Sequence, residues 1–476
     1  MRFCLKEEDQ RLLKSILDFS RRKNKKLYLV GGYLRDILLK REKNHPDIDF
    51  CLNRGAISFA KDLQKKLKSG FVILDRRHPA ARLVKKIKDK TYTLDFTDFR
   101  GKTLEEDLRH RDFTINTLVL ELDKVFSPYP KRNFFDFFHA QEDLKEKVIR
   151  MVNPCAFDED PLRILRAFSF ASTFNFKIDK ETLRQIKLKK NKLSSVSFER
   201  IRDELFKIFQ NPSCFDYVLE LDKLRILEII LPEIKMMRGV SQGPYHHLDV
   251  WQHSLETLRQ LEMALWEFRQ NKDLWDYLDV VISHPRKRLA LLKLGALLHD
   301  IGKPKARRRQ GKKIIFHGHE RIGFEITKNV IQRLRLSNVE LDALAKMILC
   351  HLRPGYLADN ETITPRARFR FFRDAGDEAV SVLLISLADQ RSTKGPLTTR
   401  QSRLRHEKTV FSLIKEYFKK KENRPRRLIN GDDLIKRFKL APSPLIGKIL
   451  REVEELQAIG RIKTKKEAFQ VARKFI

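Results

Sequence analysis

The spacing of hydrophobic positions changes along the chain, and the changes divide it. Residues 1–25 carry Leu12, Leu13, Ile16 and Leu17 at helical intervals ahead of a basic end, SRRKNKK, which predicts one amphipathic helix. From 26 to about 125 the apolar runs are short and alternating. Leu27–Val30, Ile48–Leu52, Phe71–Leu74, Thr91–Phe96 and Leu118–Leu122 read as strands between short helical stretches, a small mixed α/β domain that the first helix caps. Beyond about 139 the strand signals stop and helical periodicity continues to the end. The fold class is therefore α+β, a mixed α/β head followed by an all-α remainder in an elongated multidomain chain. The expected segments are a head at 1–138, a neck at 139–238, a helical domain at 239–395 and a tail at 396–476.

Composition narrows the partners. The 476 residues are 42% hydrophobic and 34% charged, a globular balance, with 99 Lys and Arg against 63 Asp and Glu and a formal net charge of +36. That excess points to a polyanion, with nucleic acid first. The tail concentrates it, with 22 Lys and Arg against 9 Asp and Glu, including KKK at 419–421 and RPRR at 424–427. Cys4, Cys51, Cys155, Cys214 and Cys350 are scattered without a C-x-x-C, which argues against a cysteine zinc site and for a reducing, cytoplasmic setting. No apolar run is long enough to span a bilayer, and the first ten residues have no signal-peptide core.

Candidate chemistry begins at KLYLVGGYLRDILLKREKNHPDIDFCL. A strand runs into Gly31-Gly32 and then into a helix carrying Leu34, Ile37 and Leu38, a junction whose backbone amides and helix dipole suit a phosphate. Asp47 and Asp49 follow on a second strand, where alternation puts both carboxylates on one face, as Mg²⁺ ligands for nucleotidyl transfer require. Asp95, on the alternating stretch Tyr92–Phe96, is a third candidate carboxylate. With Arg35-Asp36 between them, the glycine pair and Asp-Ile-Asp resemble the head motif of the nucleotidyltransferase superfamily, in the branch of class II tRNA nucleotidyltransferases and bacterial poly(A) polymerases.

That resemblance organises the residues downstream. Arg109-His110-Arg111-Asp112-Phe113-Thr114-Ile115-Asn116 looks like the family's R-R-D-F-T-I-N motif, with histidine at the first arginine. It implies that Arg111, Asp112 and Asn116 contact the ribose and triphosphate of the incoming nucleotide, while the head motif implies nucleotide binding by Gly31, Gly32 and Arg35. Ala156–Arg163 reads as the start of a helix, in which Glu159 and Asp160 share a face with Arg163. It resembles the E-D-x-x-R motif, which implies that Asp160 and Arg163 recognise the base, with Arg166 one turn on a further nucleotide-binding residue. Phe198–Leu205 matches a further helical motif, carrying Glu199, Arg200 and Glu204 in a positioning role.

The third segment holds His253, His299-Asp300, His319, His351 and Asp389 in an order similar to the HD phosphohydrolase superfamily. The likeness implies a transition metal (Mn, Ni, Co, Fe or Zn) at His253, His299, Asp300 and Asp389, with His319 and His351 able to bring in a second. Imidazole with carboxylate suits such ions better than Mg²⁺ alone. Leu428–Leu434 followed by APSPLIGKIL resembles the C-terminal segment of tRNA nucleotidyltransferases, with Ser443 in place of a usual glycine.

Taken together, the resemblance implies addition of C, or C and A, to the 3′ end of tRNA from CTP and ATP, with Mg²⁺ at the head, tRNA and not DNA as partner, and no membrane. Two rivals stand beside it: a poly(A) polymerase using ATP on mRNA, and a metal phosphohydrolase whose head only binds RNA. Family members that add all three nucleotides carry a flexible loop between the third-carboxylate strand and the R-R-D motif. Here Phe96–Leu108 is too short for that loop, which predicts an enzyme that stalls after CC.

Overall fold

The computed structural model describes residues 5–42, 45–311, 313–422 and 427–476. Cys4 and the Arg424-Pro425-Arg426 part of the basic run lie outside them, as do the side chains of Lys420 and Lys421. The chain divides into two compact units, Met1–Arg200 and Ile201–Ile476. The stretch 139–238, read as one neck, is thus shared between them.

The first unit is built on a mixed seven-stranded sheet. Its strands are β1 (Tyr28–Val30), β2 (Asp47–Leu52), β3 (Gly70–Asp75), β4 (Ala80–Ile87), β5 (Lys90–Asp98), β6 (Val119–Glu121) and β7 (Phe134–Phe135), in the order β3-β4-β5-β2-β1-β6-β7. β2 and β5 run parallel and every other pair is antiparallel. Around the sheet lie α1 (Glu7–Arg22), α2 (Gly32–Leu38), α3 (Ala56–Leu67) and α4 (Leu104–Arg109). Leu12, Leu13, Ile16 and Leu17 of α1 are buried, as the pattern predicts. Then come α5 (Ala140–Glu146), α6 (Ala156–Glu159), α7 (Arg163–Phe174), α8 (Lys180–Lys189) and the start of α9 (Phe198–Phe209).

The second unit is helical: α10 (Phe215–Lys223), α11 (Ile226–Ile230), α12 (Val250–Glu267), α13 (Lys272–Leu278), α14 (Arg288–Leu298), α15 (Lys303–Ala306), α16 (His319–Arg333), α17 (Asn338–Cys350), α18 (Arg353–Ala358), α19 (Pro365–Ala375), α20 (Ala379–Ser392), α21 (Arg400–Glu422), α22 (Gly431–Phe438), α23 (Pro444–Ala458) and α24 (Lys465–Arg473). Every residue of α14 is buried, and α20 is buried from Ala379 to Ala388, so both are central helices packed on α12 and α17. Ile429, Leu434, Ile446, Ile449, Val453 and Ile462 give α22 to α24 an apolar cluster of their own. Among the described residues, no helix is long and apolar enough to cross a membrane.

Two expectations need correction. β4 was not foreseen, because Ala-Ala-Arg-Leu-Val-Lys-Lys-Ile puts basic side chains on its wetter face and carries no clean alternation. Strands also recur after 139, as two- and three-residue ribbons at Val148–Ile149 with Lys177–Ile178, Val281–Ser283 with Arg286–Lys287, and Arg308–Gln310 with Lys313–Ile315. Pieces that short leave no period to read.

Candidate active site

β1 ends at Gly31, whose backbone (φ 76°, ψ −136°) is open to glycine and disfavoured for other residues. A Cβ there would lie 2.9 Å from Arg111 Nη1 and 3.2 Å from Asp49 Oδ2. The bare backbone therefore lets a guanidinium and a carboxylate close over the turn. Parallel pairing sets Asp49 opposite Asp95 on neighbouring strands, with both half-buried. Asp95 is gripped by Arg82 of β4, Nε to Oδ1 at 2.8 Å and Nη2 to Oδ2 at 2.7 Å.

Asp49 and Asp95 line a cavity of about 400 Å³ whose other walls include Arg100, His110, Arg111, Asp160, Arg163, Arg166 and Arg200. Asp75, Asp98, Asp107 and Asp112 line it as well, so carboxylates able to take a metal and arginines able to pair with phosphate oxygens share its walls. Asp47 lies two residues earlier on β2, is exposed, and lines a neighbouring cavity of about 340 Å³ with Lys6, Lys40 and Lys90.

Beneath this floor runs a hydrogen-bonded chain: Asp36 accepts from Arg35, Arg35 donates to Asn116, Asn116 to Asp112, and Arg166 to Asp112 from the other side. Arg35 and Asn116 are 4% and 6% exposed, and neither lines the cavity. The resemblance implies nucleotide contacts for both, and in the structure their side chains brace Asp36 and Asp112. Asp112 lines the cavity, yet each of its oxygens accepts two hydrogen bonds: from Phe113 N and Asn116, and from Arg166 twice. It is placed to aim Arg166 into the cavity. Burial pushes its pKa up, but Arg166 and Asn116 outweigh that and hold it below the ordinary value. Phe170 lies between Arg35 and Arg166, with centroid distances of 5.2 and 5.0 Å.

The Ala156–Arg163 stretch also departs from expectation. Instead of one helix, α6 ends at Glu159, Asp160 is extended (φ −147°, ψ 100°), and α7 starts at Arg163. Pro161, with no N–H to donate, sits at the break. Glu159 makes the i,i+4 ion pair with Arg163 at 3.3 Å, while Asp160 turns to Arg200 at 2.7 Å. Arg163 also donates to His110 O at 2.6 Å and Ala156 O at 3.2 Å, fixing the segment that carries Arg111. His110 pairs with Glu159 at 3.0 Å.

In the second unit, the six residues singled out converge as two triads: His253, His299 and Asp389, and Asp300, His319 and His351. Asp300 sits between them. Its Oδ2 is 3.1 Å from His299 Nε2, and its Oδ1 is 3.2 Å from His319 Nε2 and 3.8 Å from His351 Nε2. His253 Nε2 meets Asp389 Oδ1 at 2.9 Å. Asp300 Oδ2 is also 3.6 Å from His253 Nε2, so this carboxylate reaches histidines of both triads.

The Nδ1 atoms of His299, His319 and His351 face the carbonyls of Ala296, Phe316 and Ile348 at 2.7–2.9 Å, which turns each Nε2 to the centre as a lone pair. Burial, then neighbouring His299, lowers His351 to about 3, so its ring stays neutral. Burial disfavours charge on His299 too, but adjacent Asp300 raises its pKa. His299 Nε2 and both Asp300 oxygens are buried without a hydrogen bond of good geometry. Lys303 Nζ approaches Asp300 Oδ2 at 2.6 Å but donates to Gln242 at 2.7 Å. Orphaned nitrogens and carboxylate oxygens converging in this way fit a divalent metal. At Gly302 a Cβ would collide with His319 O at 2.0 Å, so the turn after Asp300 packs directly on the start of α16.

Residues 27–150 match the poly A polymerase head domain, 175–237 the RNA- and SrmB-binding site of polymerase A, 250–394 the HD domain, and 413–472 tRNA nucleotidyltransferase domain 2. An A-adding tRNA nucleotidyltransferase of Deinococcus radiodurans is 32% identical over 372 residues, 77% of this chain and 78% of that one. The chain belongs to the tRNA nucleotidyltransferase and poly(A) polymerase family. A CC-adding tRNA nucleotidyltransferase of Thermus thermophilus is 28% identical over 461 residues, covering 95% and 94%. The fold is that of a Thermotoga maritima CCA-adding enzyme solved with tRNA, at TM-score 0.65 and 21% identity over 99% of this chain and 96% of that one.

For this nucleotidyltransferase, sequence reasoning missed Arg100 at the cavity and Arg82, which grips the cavity carboxylate Asp95. Arg82 could have been found only through the β4–β5 register, which sets it opposite Asp95.

Proposed function

We propose that the enzyme adds two cytidines from CTP to the 3′ end of tRNA and stops before the terminal adenosine. The observation that carries this reading is that both connections between Asp49 and Arg111 able to act as a lever are short and tied down. Arg76–Pro79 is a turn whose amides at Arg77 and His78 donate to Asp75 at 2.7 and 3.3 Å. Phe99–Thr103 is pinned at each end and in the middle: Phe99 N to Leu52 O at 2.9 Å, Arg100 N to Asp107 at 3.0 Å, Lys102 N to Glu106 at 2.6 Å, with Thr103 capping α4. A pocket walled by fixed segments keeps one shape, suited to one base. The CC-adding relative aligned over nearly the whole chain supports the same reading.

In the head, the 3′-hydroxyl of tRNA attacks the α-phosphate of CTP, a phosphodiester forms, and pyrophosphate leaves toward Arg100 and Arg111. Mg²⁺, for which Asp47 and Asp49 offer hard carboxylate oxygens, would acidify that hydroxyl and offset charge on the phosphate. Asp160 and Arg163 present an acceptor and donors to the base edge, and Arg200 and Glu159 hold them there. The HD centre is a second active site, where His253, His299 and Asp389, with Asp300, His319 and His351, would hold a transition metal for phosphoester hydrolysis.

The deciding experiment gives the enzyme tRNA already ending in CC, with ATP, and compares the rate with addition of the first C. Adenosine addition should be at least tenfold slower. A comparable rate would overturn the lever argument and favour A addition, which the 32% identity to the A-adding relative supports.

Arg163→Ala should reduce preference for CTP over UTP at least tenfold while the chain stays folded, since one good bidentate base contact supplies about 1–3 kcal/mol of discrimination. Competition between the two triphosphates on one tRNA measures this. Unchanged preference would leave Arg163 as only a brace for the His110 carbonyl.

A further inference from the structure

α19 and α23 meet over one buried carboxylate. Glu455 of α23 is 2% exposed, and three guanidiniums of α19 converge on it. Arg366 donates to it, Arg370 does so twice at 3.0 Å, and Arg373 Nη1 is 3.5 Å away. Arg366 also reaches Glu452 at 3.0 Å. Lys448 and Arg451 stand on α23 before Glu455, and with Arg370 and Arg373 they line a cavity of about 310 Å³.

A buried carboxylate is compensated by one well-placed guanidinium. Here Arg366, Arg370, Arg373, Lys448 and Arg451 gather around Glu452 and Glu455, with Asp374 accepting from Arg373 Nε at 2.8 Å, so five cations meet three carboxylates. The side chains of Arg370 and Arg373 remain 50% and 30% exposed, so their charge reaches solvent. Like charges this close repel, and an anion arriving from the solvent side relieves the repulsion. Guanidiniums fixed in place by a buried carboxylate are preorganised forks for phosphate oxygens.

We propose that this cavity binds the phosphodiester backbone of the tRNA substrate, with Lys448 and Arg451 taking the outermost phosphates. The inference rests on tRNA being the substrate and is independent of which nucleotides are added.

The test is the double variant Lys448→Ala, Arg451→Ala in the full chain, which spares the arginines that hold Glu455. Binding of tRNA lacking its 3′ end is measured across a salt series, beside thermal unfolding. Loss of two phosphate contacts should lower the slope of log affinity against log salt by roughly 1.8, about 0.9 for each contact. Binding at low salt should weaken at least tenfold, with the unfolding midpoint unchanged. An unchanged slope in a folded variant overturns the proposal. So does a result in which inorganic phosphate binds the wild type and not the variant while the tRNA slope stays the same, because the cavity then takes a small anion. Failure of the wild type to extend tRNA would instead overturn the functional reading, so the two failures are distinguishable.

Discussion

Asp49→Ala abolishes nucleotide addition, by at least a thousandfold or about 4 kcal/mol of transition-state stabilisation, while tRNA binding falls less than threefold. The carboxylate lines the cavity beside Asp95, 3.2 Å from the place where a Gly31 Cβ would stand. A carboxylate repels RNA phosphates, which is why its loss leaves binding intact. Asp47→Ala should behave alike, because the two residues share a face of β2. Single-turnover incorporation of labelled CTP beside a filter-binding titration separates the two effects. Addition by Asp49→Ala at more than a few per cent of wild type would remove this strand from the centre of the reaction.

The second large effect is expected in the other unit. Asp300→Asn should strip divalent transition metal from the protein and abolish phosphoester hydrolysis, since Asp300 lies 3.1, 3.2 and 3.8 Å from His299, His319 and His351. Metal per chain, read by elemental analysis after dialysis against limiting Ni²⁺ or Mn²⁺, should fall from near one or more to below a tenth. Asparagine keeps the shape but gives up charge beside buried Lys303, so some stability is lost; an unpaired buried charge costs about 3–5 kcal/mol. Addition of C should be unchanged, because the two centres lie in separate compact units and share no residue. Retention of metal by the folded variant would contradict the ligand assignment.

How far the sequence could be read depended on whether a residue's role is local. Alternation placed Asp47, Asp49 and Asp95 on strands, and the β2–β5 register then brought Asp49 and Asp95 together. Their partner Arg82 stayed hidden, because nothing in Ala-Ala-Arg-Leu-Val-Lys-Lys-Ile announces a strand. Gly31 could be read as a turn, but not as the gap into which Arg111 and Asp49 close. The bond between Arg35 and Asn116 spans 81 positions, so a motif that names each of them could not show that they hold each other. Asp160 was placed on a helix because its spacing from Arg163 fits one, whereas the chain breaks there and gives the ion pair to Glu159. The HD histidines were legible as a set. Their division into two triads around Asp300 depends on how α12, α14, α16, α17 and α20 pack.

The most direct measurement incubates the purified chain with tRNA ending at the discriminator base, supplies each of the four nucleoside triphosphates alone with Mg²⁺, and sequences the product 3′ ends. The account predicts two added cytidines from CTP and at most traces from ATP, GTP and UTP. Long adenosine tracts from ATP on any RNA, or no extension with any triphosphate, would contradict it.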